Sequence, residues 1–326
     1  MERENVQTNP NDRILVKILK TETSKTLIAL CLLCFVLSVF RSSVFLTQNN
    51  LFNILRQTSI NAIIAIGITF VLLTGGIDLS VGSVAGFASL VTAMLLVKGQ
   101  SMATAMFVGL ASGLTIGVVS GLLVAKLKIP PFIATLSMLT TFRGVIMVLS
   151  EGRPFTQLGD AFGFIGTGYI GIIPFPVVLM LVFVALAHYV LKHTRFGRYL
   201  YAIGGNEEAA RLSGIKTDKI KILVYVISAF FATISGFIMA ARVDSATPLA
   251  GDGAELDAIA AAVIGGVSLS GGKGVVIGTL IGSLIIGVLN NGMVLLDVSV
   301  FYTKIVKGLV ILLAVIIDII SKKKHS

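Results

Sequence analysis

The chain has 326 residues, of which 55% are hydrophobic and only 13% are charged, and its mean hydropathy is +0.96. Soluble domains carry about 25% charged residues, so this composition excludes an ordinary soluble domain and favours a protein that spans a lipid bilayer. The net charge of +10 is compatible with a nucleic-acid partner, but the basic residues cluster in alternate loops, which favours the positive-inside bias of membrane proteins instead.

Apolar runs follow one another along the chain and predict about ten transmembrane helices. They lie at about 26–46, 57–74, 81–97, 101–125, 132–150, 175–191, 222–241, 255–270, 275–296 and 300–320. Helices are expected because a segment in lipid must satisfy its own backbone polar groups. We therefore predict an all-α, polytopic membrane protein whose transmembrane domain at 26–320 lies between tails at 1–25 and 321–326.

The basic residues predict the orientation. Most of the 26 Lys and Arg residues fall in the two tails and in loops that share their side of the membrane. This bias predicts that both termini are cytoplasmic and that the loop at 192–221, which is the most basic of the inner loops, is cytoplasmic as well.

Two glycine-rich octapeptides suggest an internal repeat. Residues 75–82 read GGIDLSVG and residues 265–272 read GGVSLSGG, so that Gly75 and Gly76 align with Gly265 and Gly266. Each follows a run predicted to cross from outside to inside, which indicates a parallel repeat about an axis along the membrane normal. These four glycines are therefore candidate gate positions. A separate stripe, Gly109, Gly113, Gly117 and Gly121, predicts close approach of another helix, either in this chain or in a second copy.

Polar side chains within the apolar runs are the candidate lining of a polar translocation path, because they are costly in lipid. They are Gln57, Asn61, Thr69, Asp78, Asn290 and Asn291. Hydrogen bonding between helices is the alternative for each of them. Near the outer side, Lys304 and Lys307 are expected to extend towards the interface. The acidic loop at 242–257 is either a docking surface or a solvated loop.

Sequence patterns of soluble enzymes fail in their context. GTGYIG at 166–171 follows no strand, so it does not predict a dinucleotide site, and SGGKGVV at 270–276 lacks the residues of a Walker A motif. The chain is therefore not expected to bind ATP itself. His188, His193 and His325 have no partners at metal-ligand spacing, so neither a metal nor a catalytic role is predicted.

The polar segment NEEAARLSG predicts a short helix within the basic loop. Asn206 is a favourable N-cap, and Glu207 and Glu208 fall in the first turn, where negative charge suits the helix dipole. Gly214 is placed to end the helix. So short a helix needs something to pack against. Its leading acidic residues favour a cytoplasmic protein partner over an anionic membrane surface.

Glu208, Ala209, Ala210 and Gly214 resemble the E-A-A-x-x-x-G loop of permeases in ABC importers, although the downstream Ile-x-Leu-Pro of that loop is missing. Further segments resemble the monosaccharide permeases of this family, those for ribose among them, over nearly all of residues 50–320. These segments read TGGIDLSVGS, PPFIATLSML, TRFGRYLYAIGGNEEAARLSGI, ELDAIAAAVIGGVSL, GGKGVVIGTLIGSLI and IVKGLVILLAV.

The resemblance implies a multi-pass permease subunit of a bacterial inner-membrane importer rather than an enzyme. It implies a second permease copy, a sugar-binding protein outside, and a cytoplasmic ATPase whose two nucleotide sites hold ATP and Mg. The residues implied to contact the ATPase are Gly205, Asn206, Glu207, Glu208, Ala209, Ala210, Arg211 and Gly214. Ribose is the expected sugar. Xylose, galactose, autoinducer-2 and branched-chain amino acids stay open, as does an ion-coupled transporter that uses Asp78.

Overall fold

A computed structural model describes residues 22–323, and most of them are helical. The helices are α1 (Glu22–Phe40), α2 (Ser42–Phe45), α3 (Gln48–Leu73), α4 (Val81–Val97), α5 (Met102–Ala125), α6 (Pro131–Ser150), α7 (Asp160–Thr167), α8 (Phe175–His193), α9 (Arg195–Gly205), α10 (Glu207–Leu212), α11 (Thr217–Val243), α12 (Ala254–Ile264), α13 (Val276–Leu295) and α14 (Val300–Lys323). The first 21 residues of the predicted N-terminal tail and the last three of the C-terminal tail lie outside the described residues.

Four two-residue strands form two small antiparallel pairs. β1 (Phe155–Thr156) pairs with β4 (Ser245–Ala246), and β2 (Tyr169–Ile170) pairs with β3 (Ile173–Pro174) as a hairpin. The first pair joins the segment after α6 to the end of α11. The pairs lie in connecting segments, so the architecture is that of a helical membrane protein.

Seven helices within residues 22–323 are long and apolar enough to cross a bilayer, namely α1, α3, α5, α6, α8, α11 and α13. Helix α4 is apolar but has only 17 residues. Helix α14 covers the last predicted run with 24 residues. The prediction of a helical protein that crosses the membrane several times is thus confirmed.

The run at 255–270 differs from the prediction of a full crossing. Only Ala254–Ile264 is helical, and an 11-residue helix is about 17 Å long, whereas a bilayer core is about 30 Å thick. The helix ends because Gly266 adopts φ +88°, a left-handed conformation that suits glycine. Helix α3, in contrast, is longer than the predicted run at 57–74. It begins at Gln48, because Thr47 caps it by accepting a hydrogen bond from the Asn50 nitrogen at 3.3 Å.

Helices α3 and α11 form the centre of the fold. Helix α11 packs against α3, α4 and α5, and the isoleucines Ile63, Ile64, Ile66 and Ile68 of α3 are fully buried. The predicted glycine stripe lies on α5. A Cβ atom on Gly117 would lie 2.6 Å from the Ala229 Cβ, and one on Gly121 would lie 2.8 Å from the Ile222 Cα. The closely approaching helix is therefore α11 of the same chain.

Candidate translocation and coupling sites

Helix α10 forms at the predicted place and with the predicted N-cap. The Asn206 side chain accepts a hydrogen bond from the Ala209 nitrogen at 2.9 Å, and the helix covers Glu207–Leu212. The Ile215 nitrogen closes its C-terminus by donating to the Ala210 carbonyl oxygen at 3.1 Å, while Gly214 has φ +85°. Both ends of this short helix are thus satisfied by local hydrogen bonds.

Glu207 and Arg211 fasten α10 to the start of α11. The Lys221 ammonium lies 2.7 Å from Glu207 Oε2, and an Arg211 guanidinium nitrogen lies 3.3 Å from Glu207 Oε1. Arg211 also donates to Thr217 Oγ1 at 3.2 Å. Burial raises the pKa of Glu207, but Lys221, with smaller contributions from Lys128 and Arg211, lowers it more, so the pKa lies below its usual value.

Asp218 extends these contacts to the segment between α5 and α6. Its carboxylate oxygens lie 3.2 Å from the Lys126 ammonium, 3.0 Å from that of Lys128 and 3.6 Å from an Arg211 nitrogen. These pairs are partly exposed, so each contributes little to stability by itself. Together they link α10, the start of α11 and the segment at 126–128.

The opposite face of α10 is directed away from the protein. Leu212 is 82% exposed and Glu208 is exposed, whereas Ala210 is buried. A leucine as exposed as Leu212 next to a carboxylate forms a small amphipathic contact surface. We call Glu208 and Leu212 the docking face.

The two glycine segments lie at the α10 end of the protein and contact each other. The Gly272 nitrogen donates to the Leu73 carbonyl oxygen at 3.0 Å. Each segment follows a helix that ends with the same bond pattern, in which the Gly76 nitrogen reaches Val71 O and the Val267 nitrogen reaches Ala262 O. Both copies of the sequence repeat therefore end a helix with the same backbone hydrogen bond.

The helix ends correct the alignment of the repeat by one residue. Gly75 has φ +75° and its structural counterpart is Gly266 with φ +88°, not Gly265, which is helical at φ −68°. The predicted alignment holds after the helix end, where Asp78 and Ser268 each accept from a backbone nitrogen two residues later. The first segment has two residues between Gly75 and Asp78, whereas the second has one between Gly266 and Ser268. Sequence identity alone does not reveal this additional residue.

A cavity of about 370 Å³ lies between α3, the end of α11, the loop before α12, and α13. Three of the predicted path residues line it, Gln57, Asn61 and Asn290. Its other walls come from Thr58, Ile60, Ile64, Met239, Arg242, Leu249, Ala250, Gly251, Asp252, Ala254, Asp257 and Gly287. Gly287 allows the close approach of α13, because a Cβ there would overlap Thr58 Oγ1.

Several buried polar atoms in the wall of this cavity have no hydrogen-bond partner within residues 22–323. They are both amide atoms of Asn61, the Oδ1 atom of Asn290 and the Oγ1 atom of Thr58. A buried polar group without a partner costs about 1–3 kcal/mol. Donors and acceptors on facing helices therefore suit a solute that itself carries both, such as a polyhydroxylated one.

The structure does not bring the other three predicted path residues to the cavity. Thr69 Oγ1 lies 2.8 Å from Thr279 Oγ1, and both residues are fully buried. The Asn291 amide exchanges hydrogen bonds with Asn50 at 2.8 and 3.2 Å. Asp78 is buried and accepts from the Ser80 hydroxyl at 2.6 Å. These contacts match the alternative of interhelical and local hydrogen bonding.

The sequence did not predict that charged residues line the cavity. Arg242 and Asp257 belong to the segment interpreted there as a docking surface or a solvated loop, yet both line the cavity. Lys307 does not extend to the interface as predicted, because its ammonium pairs with an Asp257 oxygen at 2.7 Å and links α14 to the cavity wall. Only the acidic excess of the segment hinted at such a partner.

Comparison with known proteins gives a consistent result. Residues 50–315 match the family described as branched-chain amino acid transport system / permease component. The ribose import permease protein RbsC of Escherichia coli K12 is 52% identical over 298 residues, covering 90% of this chain and 92% of that protein. The protein of the same name from Bacillus subtilis is 47% identical, covering 89% and 91%.

A second group of relatives is more distant. The xylose transport system permease protein XylH of Haemophilus influenzae is 37% identical, covering 91% of this chain and 96% of that protein. No solved structure matches the chain. These relatives are transport proteins rather than enzymes. The chain is therefore a multi-pass inner-membrane transport protein that belongs to the family of branched-chain amino acid transport system permease components.

Proposed function

We propose that this chain is the permease subunit of an ABC importer for a monosaccharide, D-ribose, and forms its transmembrane pathway. The observation that carries the proposal is the higher identity to ribose permeases, 47–52%, than to xylose permeases, 35–37%. An extracytoplasmic binding protein delivers the sugar, and a partner ATPase supplies the energy.

The chemistry of the cavity supports a sugar over a branched-chain amino acid. The side chain of leucine or valine would leave the amides of Asn61 and Asn290 without partners, at a cost of about 1–3 kcal/mol for each buried group. The hydroxyl groups of a pentose both donate and accept, so they can satisfy these amides. Gln57, Asn61 and Asn290 therefore form the pathway surface, while roles of Thr69, Asp78 and Asn291 in the path stay predictions.

The segment containing Gly205, Asn206, Glu207, Glu208, Ala209, Ala210, Arg211 and Gly214 acts as the coupling helix. Its docking face meets the ATPase, and Glu207 and Arg211 hold it to the permease. ATP and Mg bind in that ATPase, and this chain binds no cofactor or metal. Closure of the ATPase moves α10, and this movement opens the pathway alternately to the outside and to the cytoplasm.

The assembly contains two copies of this chain, one ATPase unit with two nucleotide sites and one binding protein. Both termini and α10 are cytoplasmic, and the repeat is parallel. The chain crosses the membrane about ten times, and one of these crossings is made by the short α12 together with the non-helical segment at 265–275. Helix α11 separates α10, which precedes its first residue, from the strand pair β1–β4, whose second strand follows its last residue, so the two lie on opposite sides of the membrane. Gly75, Gly76, Gly265 and Gly266 are the gate positions of the repeat.

The test is reconstitution of the permease with its ATPase and binding protein in liposomes. We expect ribose uptake that requires ATP and is lowered by Asn61→Leu or Asn290→Leu, which remove an amide at similar volume. Thr115→Val on an exposed face of α5 is the matched polar-to-apolar control and should transport normally. Uptake of leucine, or of another sugar, in preference to ribose would reject the assigned substrate. Uptake driven by an ion gradient without any ATPase would favour the secondary transporter instead.

A further inference from the structure

Helix α9 connects the coupling helix to the centre of the fold. Only Asn206 separates its last residue, Gly205, from α10. Thr194 caps α9 by accepting a hydrogen bond from the Gly197 nitrogen, and Leu200 and Ile203 are buried on its inner face. A movement of α10 must therefore move α9 or bend the chain at Asn206.

Gly204, one residue before the end of α9, lies against the contact between the two glycine segments. A Cβ atom on Gly204 would overlap both the Leu73 carbonyl oxygen and the Gly272 nitrogen. These two atoms form the hydrogen bond that joins the end of α3 to the second glycine segment. The backbone of α9 is thus in direct contact with the end of α3 and with the second glycine segment, without an intervening side chain.

Two neighbouring contacts strengthen this three-way junction. A Cβ on Gly271 would lie 2.9 Å from the Gly204 Cα and 2.7 Å from the Gly75 nitrogen, so the three backbones meet at one point. One turn earlier on α9, the Tyr201 hydroxyl donates to the Gly274 carbonyl oxygen at 2.9 Å. Backbone contacts have no rotamers that could absorb a displacement, so a shift of α9 is transmitted to both segments.

We propose that Gly204 is a positioning residue through which movement of the coupling helix reaches the end of α3 and the two glycine segments at once. The proposal rests on the proposed function, because it requires an ATPase that moves α10. It concerns a contact within the permease itself, between α9, the end of α3 and the second glycine segment. Tyr201 supports the same junction through its bond to Gly274.

The test compares Gly204→Ala with Gly144→Ala in the complete reconstituted transporter. The same methyl group overlaps backbone at Gly204 but meets no atom within 4 Å at Gly144. For Gly204→Ala we expect unchanged capture of the ATPase and unchanged ATP hydrolysis, with at least about a tenfold fall in sugar transported per ATP, about 1.4 kcal/mol. Gly144→Ala should keep the parent ratio. A purely structural defect would instead lower hydrolysis and uptake together.

A direct readout follows the glycine segment itself. Lys273 is exposed beside Gly272, so Lys273→Cys can be labelled in a chain whose Cys31 and Cys34 are replaced by serine. We expect nucleotide to change the labelling rate in the parent but not in Gly204→Ala. The proposal would be overturned if nucleotide changed the labelling rate in Gly204→Ala as it does in the parent. It would also be overturned if Gly204→Ala transported as much sugar per ATP as the parent.

Two further outcomes need another variant or another measurement: failure of Gly204→Ala to insert, and failure of the parent to transport ribose. If Gly204→Ala does not insert, Tyr201→Phe, which removes one hydrogen bond, must lower the transport ratio, and a parent-like ratio there refutes the junction. If the parent transports no ribose with ATP, the proposed substrate fails. The labelling response to nucleotide then still decides the proposal about Gly204.

Discussion

Glu207 and Glu208 are adjacent in sequence but have different surroundings. The carboxylate of Glu207 lies between Lys221 and Arg211, whereas Glu208 is exposed on the same face as Leu212. The cause is the rotation of about 100° between successive helical residues, which turns one acid towards α11 and the next away from it. One carboxylate therefore attaches the helix to the permease and the other is available to a partner.

Leu212→Ala should weaken binding of the ATPase about fivefold to tenfold while leaving the permease stable. A truncated apolar anchor in an interface costs more than about 1 kcal/mol, but an exposed leucine contributes little to the fold. Capture of purified ATPase by the permease in detergent measures the effect. Leu186→Ala, at an exposed leucine of α8, is the control and should bind as the parent does. Equal losses in the two variants would argue against the docking face.

The attachment of α10 should weaken in acid. Because the pKa of Glu207 is lowered in the folded protein, its contribution to stability is complete above the ordinary value of 4.5 and is lost as pH falls through the lower, folded value. Hydrogen exchange of residues 207–212, corrected for the intrinsic pH dependence, should therefore be unchanged from pH 8 to 5 and should rise below about pH 4.5.

Glu207→Gln is the matching control for this titration. It removes the titrating group, so exchange in α10 should already be faster at neutral pH and should change less in acid. Protection in Glu207→Gln equal to that of the parent at neutral pH would show that the ion pairs do not hold the helix.

At the scale of elements, α12 and α13 approach so closely that their backbones touch. A Cβ on Gly278 would overlap the Gly265 carbonyl oxygen, and one on Gly282 would overlap that of Ala261. Small residues let helices pack closely where apolar side chains gain little from leaving lipid. The short α12 is thus held by its neighbour, since its 11 residues cannot cross the membrane alone.

Gly278→Ala should destabilise the permease by about 1–3 kcal/mol, because the added methyl group must displace backbone. Thermal unfolding in detergent measures the change. Gly144→Ala adds the same group to an open part of α6 and should be neutral or stabilising by up to about 1 kcal/mol from helix propensity alone. The idea fails if both variants unfold at the same temperature.

At the scale of the whole molecule, α11 sets the distance between the two ends. Its 27 residues extend about 40 Å, which matches a bilayer with its headgroup regions. Helix α10 lies just before its first residue. Helix α7 packs at its other end, where a Cβ on Gly166 would meet Arg242, and the β2–β3 hairpin follows α7. The cavity and the coupling helix are therefore separated by most of the membrane.

Single cysteines should report this orientation. In a chain whose Cys31 and Cys34 are replaced by serine, a cysteine at Ser213 should react with an impermeant maleimide only from the cytoplasmic side. A cysteine at Ile172, which is 79% exposed at the hairpin tip, should react only from the outside. Labelling of intact cells and of inverted vesicles distinguishes the two, and reaction of both positions from one side would contradict the predicted topology.

Much of this arrangement follows from local sequence, and the exceptions have physical reasons. The N-cap at Asn206 and the helix end near Gly214 depend on neighbouring residues only, so they were predictable. The spacing of Glu207 and Arg211 also permits their pairing, since residues four apart share a helix face. Lys221 was not predictable as a partner, because it belongs to the next helix.

The residues that line the cavity were even less predictable from the sequence. Intramembrane polarity selects Gln57, Asn61 and Asn290, but it selects Thr69 and Asn291 equally well. What separates the two groups is whether a neighbouring helix offers a partner, as Thr279 and Asn50 do. That depends on packing between segments that are more than 200 residues apart in sequence.

The sequence by itself determined the membrane class, the basic loop with its short capped helix, and the relationship to sugar permeases, and it aligned the two glycine segments to within one residue. These features rest on composition, on local hydrogen bonding and on residue identity, all of which are readable along one chain. Only the tertiary structure decided which polar residues face a cavity, which carboxylate is exposed, and that Gly204 touches both the end of α3 and the second glycine segment. Each of these depends on atoms brought together by packing, and packing distances are not encoded in any single segment.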